Sequence, residues 1–558
     1  MFSRIPYGRC FERGWSWWLV AAAVALSVAT EAAAQKFFPD DPIWIDFDNR
    51  NISTPKSQDL SDYYDFIENS FGRPGERRPR TAFNINTLGE APDSSWFTNR
   101  HGRKRMSLEE LARGPDRGTG PDSGPWKVLR GKNEGVTPGF RLIEDSPGSR
   151  YALKFDPRGS LEMASAAEII SNKFFYAFGY HVPEYYIVYF RPDQLELGPG
   201  ATITDTLGRR RRMDGRDIQE VLNRVGRTDD GRYRASASKI LAGEPVGKFR
   251  YYGTRPDDPN DVFPHEHRRE LRGLWMFSAW LNHDDSRSIN TLDMLVKEEG
   301  RQFIRHHLLD FGSTLGSGSV REQKPRAGNE YLWEPGIAFT RLFTFGFWDR
   351  PWILINYPEY PSIGKFEADR FRPENWKPEY PHPAFRNCLP EDGYWAAKIV
   401  MAFTAEDIRA IVKTGQISDP AAENYLIQCL IKRRDKIGRY WMNRVNPVDH
   451  FQIDPEGRLH FEDLAVRHGF AKPPAAYLVS WYRYDNQRDR KFLIGRPEEY
   501  AGSPLPIPGE VRGGPPGSYY TLQIRRRIEE NPRIAKAVHL YFRQILNRLE
   551  LVGIERDE

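Results

Sequence analysis

Cysteine is scarce in this sequence, with three among 558 residues. Cys10 precedes an apolar run near the N-terminus, so the rest of the chain contains only Cys388 and Cys429. Two cysteines allow at most one disulfide, and their spacing matches no cysteine-based zinc site. The sequence leaves open whether this pair forms a disulfide, which an oxidising compartment would permit, or stays as two buried thiols.

An excess of charge of one sign is also lacking. Lys and Arg together number 81 and Asp and Glu 76, which gives a net charge of +5. This balance predicts no general affinity for nucleic acid. The basic run from Arg209 to Arg212 is typical of a solvated loop, with an anionic partner as the alternative interpretation.

The apolar run from Trp15 to Ala29 is short for a membrane span. A basic head precedes it, and the small residues Ala32, Ala33 and Ala34 follow it. These features predict a secretory signal peptide over residues 1–34. We therefore expect an exported protein, periplasmic or secreted, with an uncleaved N-terminal membrane anchor as the alternative.

The length is sufficient for two or three domains. Residues 35–115 are rich in Asp, Pro, Arg and Ser, which predicts an irregular extension. Strand and helix patterns alternate through residues 116–445. Short alternating runs predict a β-rich C-terminal domain over residues 446–558. The expected fold class is therefore α+β.

Acidic and amide residues between positions 281 and 312 carry the main chemical signal. The sequence H-D-D at 283–285 and the asparagine at 290 give H-x-D-x-x-x-x-N, and D-F-G occupies 310–312. Between them, apolar residues alternate from 292 to 296 and Glu299-Gly300 is typical of a turn. This pattern predicts a hairpin that brings the acidic residues of both motifs close together, at the opening of one cleft.

The spacing of these residues suits phosphoryl transfer. That reaction requires a protein to hold a hydroxyl in line with a γ-phosphate and to neutralise the phosphate oxygens through bound magnesium. Asp285 would orient the acceptor hydroxyl and take its proton, while Asn290 and Asp310 would hold the metal. Asp284 is the alternative base, although only Asp285 has the required spacing to Asn290.

An alternating strand from Arg150 to Asp156 contains one lysine, Lys154, and a helical pattern follows it. Glu168 lies fourteen residues after Lys154, about two turns inside that helix, and is the predicted ion-pair partner. Glu162 is the alternative partner. Its place in the first turn could instead reflect a favourable interaction with the helix dipole.

The order of these motifs resembles that of the protein-kinase-like fold: an A-L-K strand, a glutamate helix, H-x-D-x-x-x-x-N, a hairpin and D-F-G. The likeness extends over roughly residues 120 to 445. It is closer to atypical members, the HipA-like, spore-coat and secretory-pathway kinases, than to eukaryotic protein kinases. It implies a two-lobed core within 116–445, with one lobe at about 116–250 and the other at about 251–445.

The resemblance implies an ATP-dependent phosphotransferase that uses Mg²⁺ or Mn²⁺, with nucleotidyl transfer as a variant of the chemistry. Lys154 would bind the nucleotide phosphates, and Glu168 would hold it in place. Gly131, Lys132 and Gly135 belong to the loop of a predicted strand pair that would close over the phosphates. Their spacing departs from G-x-G-x-x-G.

Two further departures concern the acceptor. No arginine stands between His283 and Asp285, and no A-P-E follows the D-F-G, so neither activation-loop control nor a peptide substrate is implied. The acceptor could be a protein, a glycan or a small molecule, because a fold does not fix a substrate. The alternative function is a catalytically inactive kinase-like binding module of the cell envelope, since an exported protein meets little ATP.

Overall fold

The structure is a computed structural model, and it describes residues 35–132, 139–146, 148–204, 209–344, 350, 352–528, 536–546 and 548–557. These residues form a mixed α+β fold, which confirms the fold class predicted from the sequence. The predicted signal peptide lies outside the described residues. No helix in the described ranges has both the length and the hydropathy that a membrane crossing needs.

The described residues contain twelve α-helices and eighteen β-strands. The helices α1 to α12 span Asp62–Ile67, Leu108–Arg113, Met163–Phe178, Gly215–Asn223, Arg269–Leu281, Pro335–Phe343, Pro383–Arg386, Pro390–Ala402, Ala405–Lys413, Pro420–Met442, Leu464–Arg467 and Gly509–Arg512. The strands β1 to β18 span Trp126–Lys132, Gly139–Ser146, Ser149–Phe155, Tyr185–Phe190, Leu195–Thr204, Arg210–Arg212, Tyr233–Lys239, Glu244–Pro245, Thr291–Glu298, Arg301–Leu308, Val448–Ile453, Arg458–Asp463, Ala476–Asp485, Arg490–Tyr500, Leu505–Pro506, Tyr519–Arg527, Ala537–Ile545 and Arg548–Arg556.

The largest sheet has seven strands in the order β4-β7-β3-β2-β1-β5-β6. Strands β1 and β5 are parallel, and the other neighbouring pairs are antiparallel. Side chains alternate between the two faces of a strand, so Tyr151, Leu153 and Phe155 of β3 enter the hydrophobic core of this sheet. Lys154 therefore lies on the opposite face, where helix α3 contacts β3, β4 and β7.

A helical region packs around α5, which contacts α8 and α10. Its core includes Trp280 and Trp395, both almost fully buried. Helix α5 ends at Leu281, and Asn282 adopts a left-handed conformation (φ 53°) that turns the chain into the H-D-D motif. Cys429 is buried in the same core and Cys388 is partly buried, and both are free thiols.

Strands β9 and β10 form the hairpin that the sequence predicts between the two motifs. They pair antiparallel from Thr291↔Leu308 to Glu298↔Arg301. Glu299 and Gly300 make the turn, and both have positive φ angles, of 49° and 78°. Successive positive φ angles are typical of tight hairpin turns, in which the second residue is often glycine.

The C-terminal part of the chain is rich in strands, as expected. Strands β11, β12 and β15 form one sheet, and the order β14-β13-β16-β17-β18 forms another. Residues 537–545 form β17 and residues 548–556 form β18. Phe37 of the N-terminal extension packs against Tyr484 and Tyr541 of the larger sheet.

The extension over residues 35–115 is irregular apart from α1, α2 and a short π-helical turn. Trp96, Phe97 and Leu111 are nonetheless buried in the core of the helical region. The extension therefore packs on the helical region, and α1 also places Asp62 and Asp65 beside Arg287 and Ser288, in the loop that follows the H-D-D motif.

Candidate active site

A cleft of about 230 Å³ lies between the seven-stranded sheet, helix α3 and the segment that follows β10. Three separate parts of the sequence meet there. The side chains and backbone that line the cleft include Gly139, Phe140, Lys154, Glu168, Asp310 and Ser319.

Lys154 lines this cleft and contacts two carboxylates. Its Nζ lies 3.1 Å from Glu168 Oε2 and 2.7 Å from Asp310 Oδ1. Asp310 is 156 positions away from Lys154 in the sequence, so only the fold brings them together. Glu162, the alternative partner, lies just before α3 and accepts hydrogen bonds from the backbone N–H and hydroxyl of Ser418.

Burial and the two carboxylates together set the charge of Lys154. Burial opposes the charged amine, but Asp310 and Glu168 outweigh it and hold the pKa of Lys154 well above its ordinary value. Burial also opposes the Asp310 carboxylate, yet the attraction of Lys154 leaves its pKa lowered. The Glu168 side chain is only 1% exposed, and its burial raises its pKa despite Lys154. Asp310 is thus the carboxylate that ionises more readily.

Glu168 also fixes the D-F-G segment. Its Oε1 accepts a hydrogen bond from the Phe311 backbone N–H at 2.9 Å, and the Phe311 ring stacks on Phe175 with centroids 4.7 Å apart. A Cβ at position 312 would meet Ser319 Oγ at 2.8 Å and Glu168 Oε2 at 3.0 Å. The close approach of these side chains explains why glycine follows Phe311.

The H-D-D loop is joined to the D-F-G segment by two hydrogen bonds. Leu309 donates its backbone N–H to the Asn290 carbonyl oxygen at 2.9 Å. His283 Nδ1 lies 3.3 Å from the Ser313 carbonyl oxygen, and burial lowers the pKa of His283 to about 4, so this ring is neutral at pH 7. A neutral imidazole that donates from Nδ1 fits this bond.

Asn290 is oriented by the same loop. Its Nδ2 donates to the Asp285 carbonyl oxygen at 2.8 Å. Because the amide nitrogen is used in this bond, the amide oxygen is the atom that could bind a cation. The two residues expected to hold a metal, Asn290 and Asp310, therefore lie on segments that are hydrogen-bonded to each other at Leu309.

The two adjacent aspartates have different surroundings. Asp284 is buried, accepts a hydrogen bond from Gln323 Nε2 at 2.7 Å, and has a pKa raised well above its ordinary value by burial and by Glu379. Asp285 is partly exposed and contacts Arg287. Burial raises the pKa of Asp285 to about 7, although Arg287 opposes that rise. With a pKa of about 7, Asp285 changes its charge near neutral pH.

Sequence reasoning missed the residues around Asp285. Arg287 Nη1 lies 2.9 Å from Asp62 Oδ1 and 3.4 Å from Glu379 Oε2. Lys248 donates to the Ile289 carbonyl of the loop, and its burial lowers its pKa while Asp310 opposes that change. Arg287 stands within the motif and could have been noticed there. Asp62 lies 225 positions earlier and gave no signal.

The predicted phosphate loop is described only in part. Gly131 is buried within the sheet, where it pairs with Phe140 and Ile203, so it does not form an exposed loop. The backbone of Lys132 continues β1, while its side chain lies outside the described residues, as does Gly135. Gly139 of β2 lines the cleft at this end.

Among the residues that the structure describes, no group of three or more His, Cys, Asp or Glu side chains is placed to hold a metal ion. Comparison with protein-family models, with curated proteins and with solved structures gives no match to this chain. Its function therefore has to be inferred from its own residues and their geometry.

Glu168 offers a test of how the site is held together. In Glu168→Ala the buried Phe311 N–H would lose its acceptor, and we expect the free energy of unfolding to fall by about 1–3 kcal/mol. Glu168→Gln keeps an amide oxygen that can accept this hydrogen bond, so it should lower the free energy of unfolding by clearly less than Glu168→Ala. Denaturant unfolding of both variants checks this, with Glu162→Gln, at the residue that precedes the same helix, as the control. Equal losses for the two Glu168 variants would contradict a role for the Phe311 hydrogen bond.

Proposed function

We propose that this chain is an ATP-dependent phosphotransferase with a two-lobed protein-kinase-like core. The observation that carries the proposal is the contact of Lys154 with both Glu168 and Asp310 at one cleft. The three residues come from a strand, a helix and the D-F-G segment. The order and identity of these elements follow the motif order in the sequence. The seven-stranded sheet would be the first lobe and the helical region around α5 the second.

The residues present fit a nucleotide with Mg²⁺ or Mn²⁺. The Lys154 ammonium supplies positive charge for phosphate oxygens, and its high pKa keeps it charged. The Asp310 carboxylate and the Asn290 amide oxygen are ligands of the hard oxygen type that Mg²⁺ prefers. Two protein ligands are sufficient, because Mg²⁺ commonly completes its shell with water and substrate phosphates. When bound, the metal would neutralise charge that develops on those phosphates.

The chain's own residues would position the reactants and move one proton. Glu168 would hold Lys154 toward the phosphates, and the hydrogen bonds of Asn290 and His283 would fix the loop against the D-F-G segment. Asp285 would accept the proton of the acceptor hydroxyl, for which a pKa near the working pH is favourable. Arg287 would keep Asp285 oriented through their contact.

Nucleotide binding is the first test of this proposal. ATP with Mg²⁺ or Mn²⁺ should raise the melting temperature of the purified protein, since a ligand at 100 times its Kd stabilises by about 2.7 kcal/mol. Lys154→Met should lose most of that shift, whereas Lys472→Met, which alters an exposed lysine of the C-terminal part, should retain it. No shift with either metal, together with no transfer to any acceptor, would refute the proposal. Binding without turnover would favour the inactive binding module.

A further inference from the structure

Three further cavities have Lys324 in common as a lining residue. Ser319 lines the cleft, and the second cavity, of about 620 Å³, is lined by residues 157–160, by residues 320–325, which directly follow Ser319 in the sequence, and by Lys365. A third cavity, of about 290 Å³, shares Lys324 and Lys365 with the second. Lys324 also lines a fourth, of about 380 Å³. One lysine therefore contributes to the lining of three cavities, and one of these includes the residues that directly follow Ser319 of the cleft.

The second cavity has an excess of positive charge. Arg158, Arg321, Lys324 and Lys365 line it, against a single acid, Glu322. Lys365 is paired with Glu322 at 3.3 Å. The other three cations are exposed, and within the described part of the chain none of them makes an ion pair within 4.0 Å. Unpaired cations around a cavity favour an anionic ligand.

The third cavity combines this charge with aromatic and amide side chains. Trp352, Tyr357 and Trp376 line it together with Asn329 and Asn375. Aromatic rings pack well against the C–H faces of a sugar ring, and carboxamides can both donate to and accept from its hydroxyls. This lining fits a saccharide better than an extended peptide, which would bind through its backbone along a sheet edge.

The third cavity is also connected to the H-D-D motif. Trp376 Nε1 donates to Asn282 Oδ1 at 2.8 Å, and Asn282 Nδ2 donates to Gln323 Oε1 at 2.8 Å. Gln323 in turn donates to Asp284 at 2.7 Å. Asn282 itself lines the third cavity, so a ligand there would be separated from Asp284, the neighbour of Asp285, by one hydrogen-bonded side chain, that of Gln323.

We propose that these cavities bind the phosphate acceptor and that the acceptor is an anionic glycan. This inference rests on the proposed function. In the reaction, a glycan hydroxyl oxygen forms a bond to the γ-phosphorus of ATP, and the bond from that phosphorus to the β–γ bridging oxygen breaks. The hydroxyl proton passes to Asp285, and ADP leaves.

Calorimetric titration tests the inference. One titration uses oligogalacturonate and the other its fully methyl-esterified form, because esterification removes the charge and keeps the sugar rings. The wild-type protein should bind the charged form roughly ten times more tightly or better. Lys324→Glu should weaken that binding by roughly tenfold or more and leave the Mg²⁺-ATP melting shift unchanged. Lys472→Glu is the control. Tyr357→Ala should weaken binding of both forms.

The outcomes separate this inference from the proposed function. Normal nucleotide binding with no preference for oligogalacturonate over its ester would overturn the inference alone. Polyglutamate bound in a Lys324-dependent way, with oligogalacturonate not bound, would also overturn it, in favour of an acidic protein. Lys324-dependent binding of oligogalacturonate, with neither a nucleotide shift nor transfer to any acceptor, would support an anionic-glycan site and refute phosphoryl transfer.

Discussion

Replacement of Asp310 by asparagine is expected to lower phosphoryl transfer by roughly a hundredfold to a thousandfold, the scale seen when one preorganised electrostatic group is removed from an active site. The side chain at position 310 would lose the negative charge that we propose binds the metal, while its amide oxygen could still accept a hydrogen bond from Lys154. Lys154 would remain paired with Glu168, so the fold should be retained. Turnover measured at saturating ATP and Mg²⁺, with the melting temperature recorded for each protein, checks both parts of this expectation.

The matched control for Asp310→Asn is Asp369→Asn. The Asp369 side chain is 86% exposed and lies on the helical region, paired with Lys432 at 3.3 Å. Its replacement should alter neither turnover nor the metal dependence of ATP binding. Transfer by Asp310→Asn at a rate close to that of the wild-type protein would show that the metal is held elsewhere, and the proposed assignment would fail.

The sequence predicts local elements of this protein well. The hairpin from Thr291 to Leu308 was predicted because alternation and a turn pair are both set by neighbouring residues. Thr404 caps α9 through a capping box, and α10 begins at Pro420, both of which short patterns indicate. The chain order of the motifs was likewise enough to nominate Lys154 and Asp310 together.

The contacts that complete the site depend on distant parts of the chain. The choice between Glu162 and Glu168 depends on where α3 begins: Glu162 has a left-handed φ of 73° ahead of the helix, whereas Glu168 lies inside it and faces Lys154. The contact of Asp62 with Arg287 joins the extension to the H-D-D loop across 225 positions. No local pattern encodes such pairings, because each residue alone is an ordinary charged residue.

The composition of the extension gave no indication of its contacts with the site, for the same reason. Asp65 accepts hydrogen bonds from the Tyr380 hydroxyl at 2.6 Å and from the Ser288 hydroxyl at 3.3 Å. Asp65, which lies outside the predicted kinase-like domain, thereby connects Tyr380 to the loop that contains Ser288 and Asn290. A segment without recognisable chemistry of its own thus supports the geometry of the site.

Asp285→Asn is expected to reduce transfer by roughly a hundredfold to ten-thousandfold, the usual contribution of a positioned general base. The wild-type rate should rise with pH through about 7, because Asp285 must be ionised to accept a proton and burial raises its pKa to about 7. In Asp285→Asn, this rise of the transfer rate with pH should be absent. Asp284→Asn is the control, because Asp284 is buried and hydrogen-bonded to Gln323, so the rise of the rate with pH should persist in this variant if Asp285 is the base.

The stability of the wild-type protein should fall as pH rises, whereas the rate of transfer should rise. A folded-state pKa of about 7 for Asp285 lies above the unfolded value of about 3.9, so its protonation favours the folded state. That contribution is fully present below about pH 4 and is lost as pH rises through about 7. The wild-type protein should therefore lose stability relative to Asp285→Asn over this interval, as melting temperatures at several pH values would show. If the rise of the transfer rate near pH 7 persisted in Asp285→Asn, the general base would have to be another group.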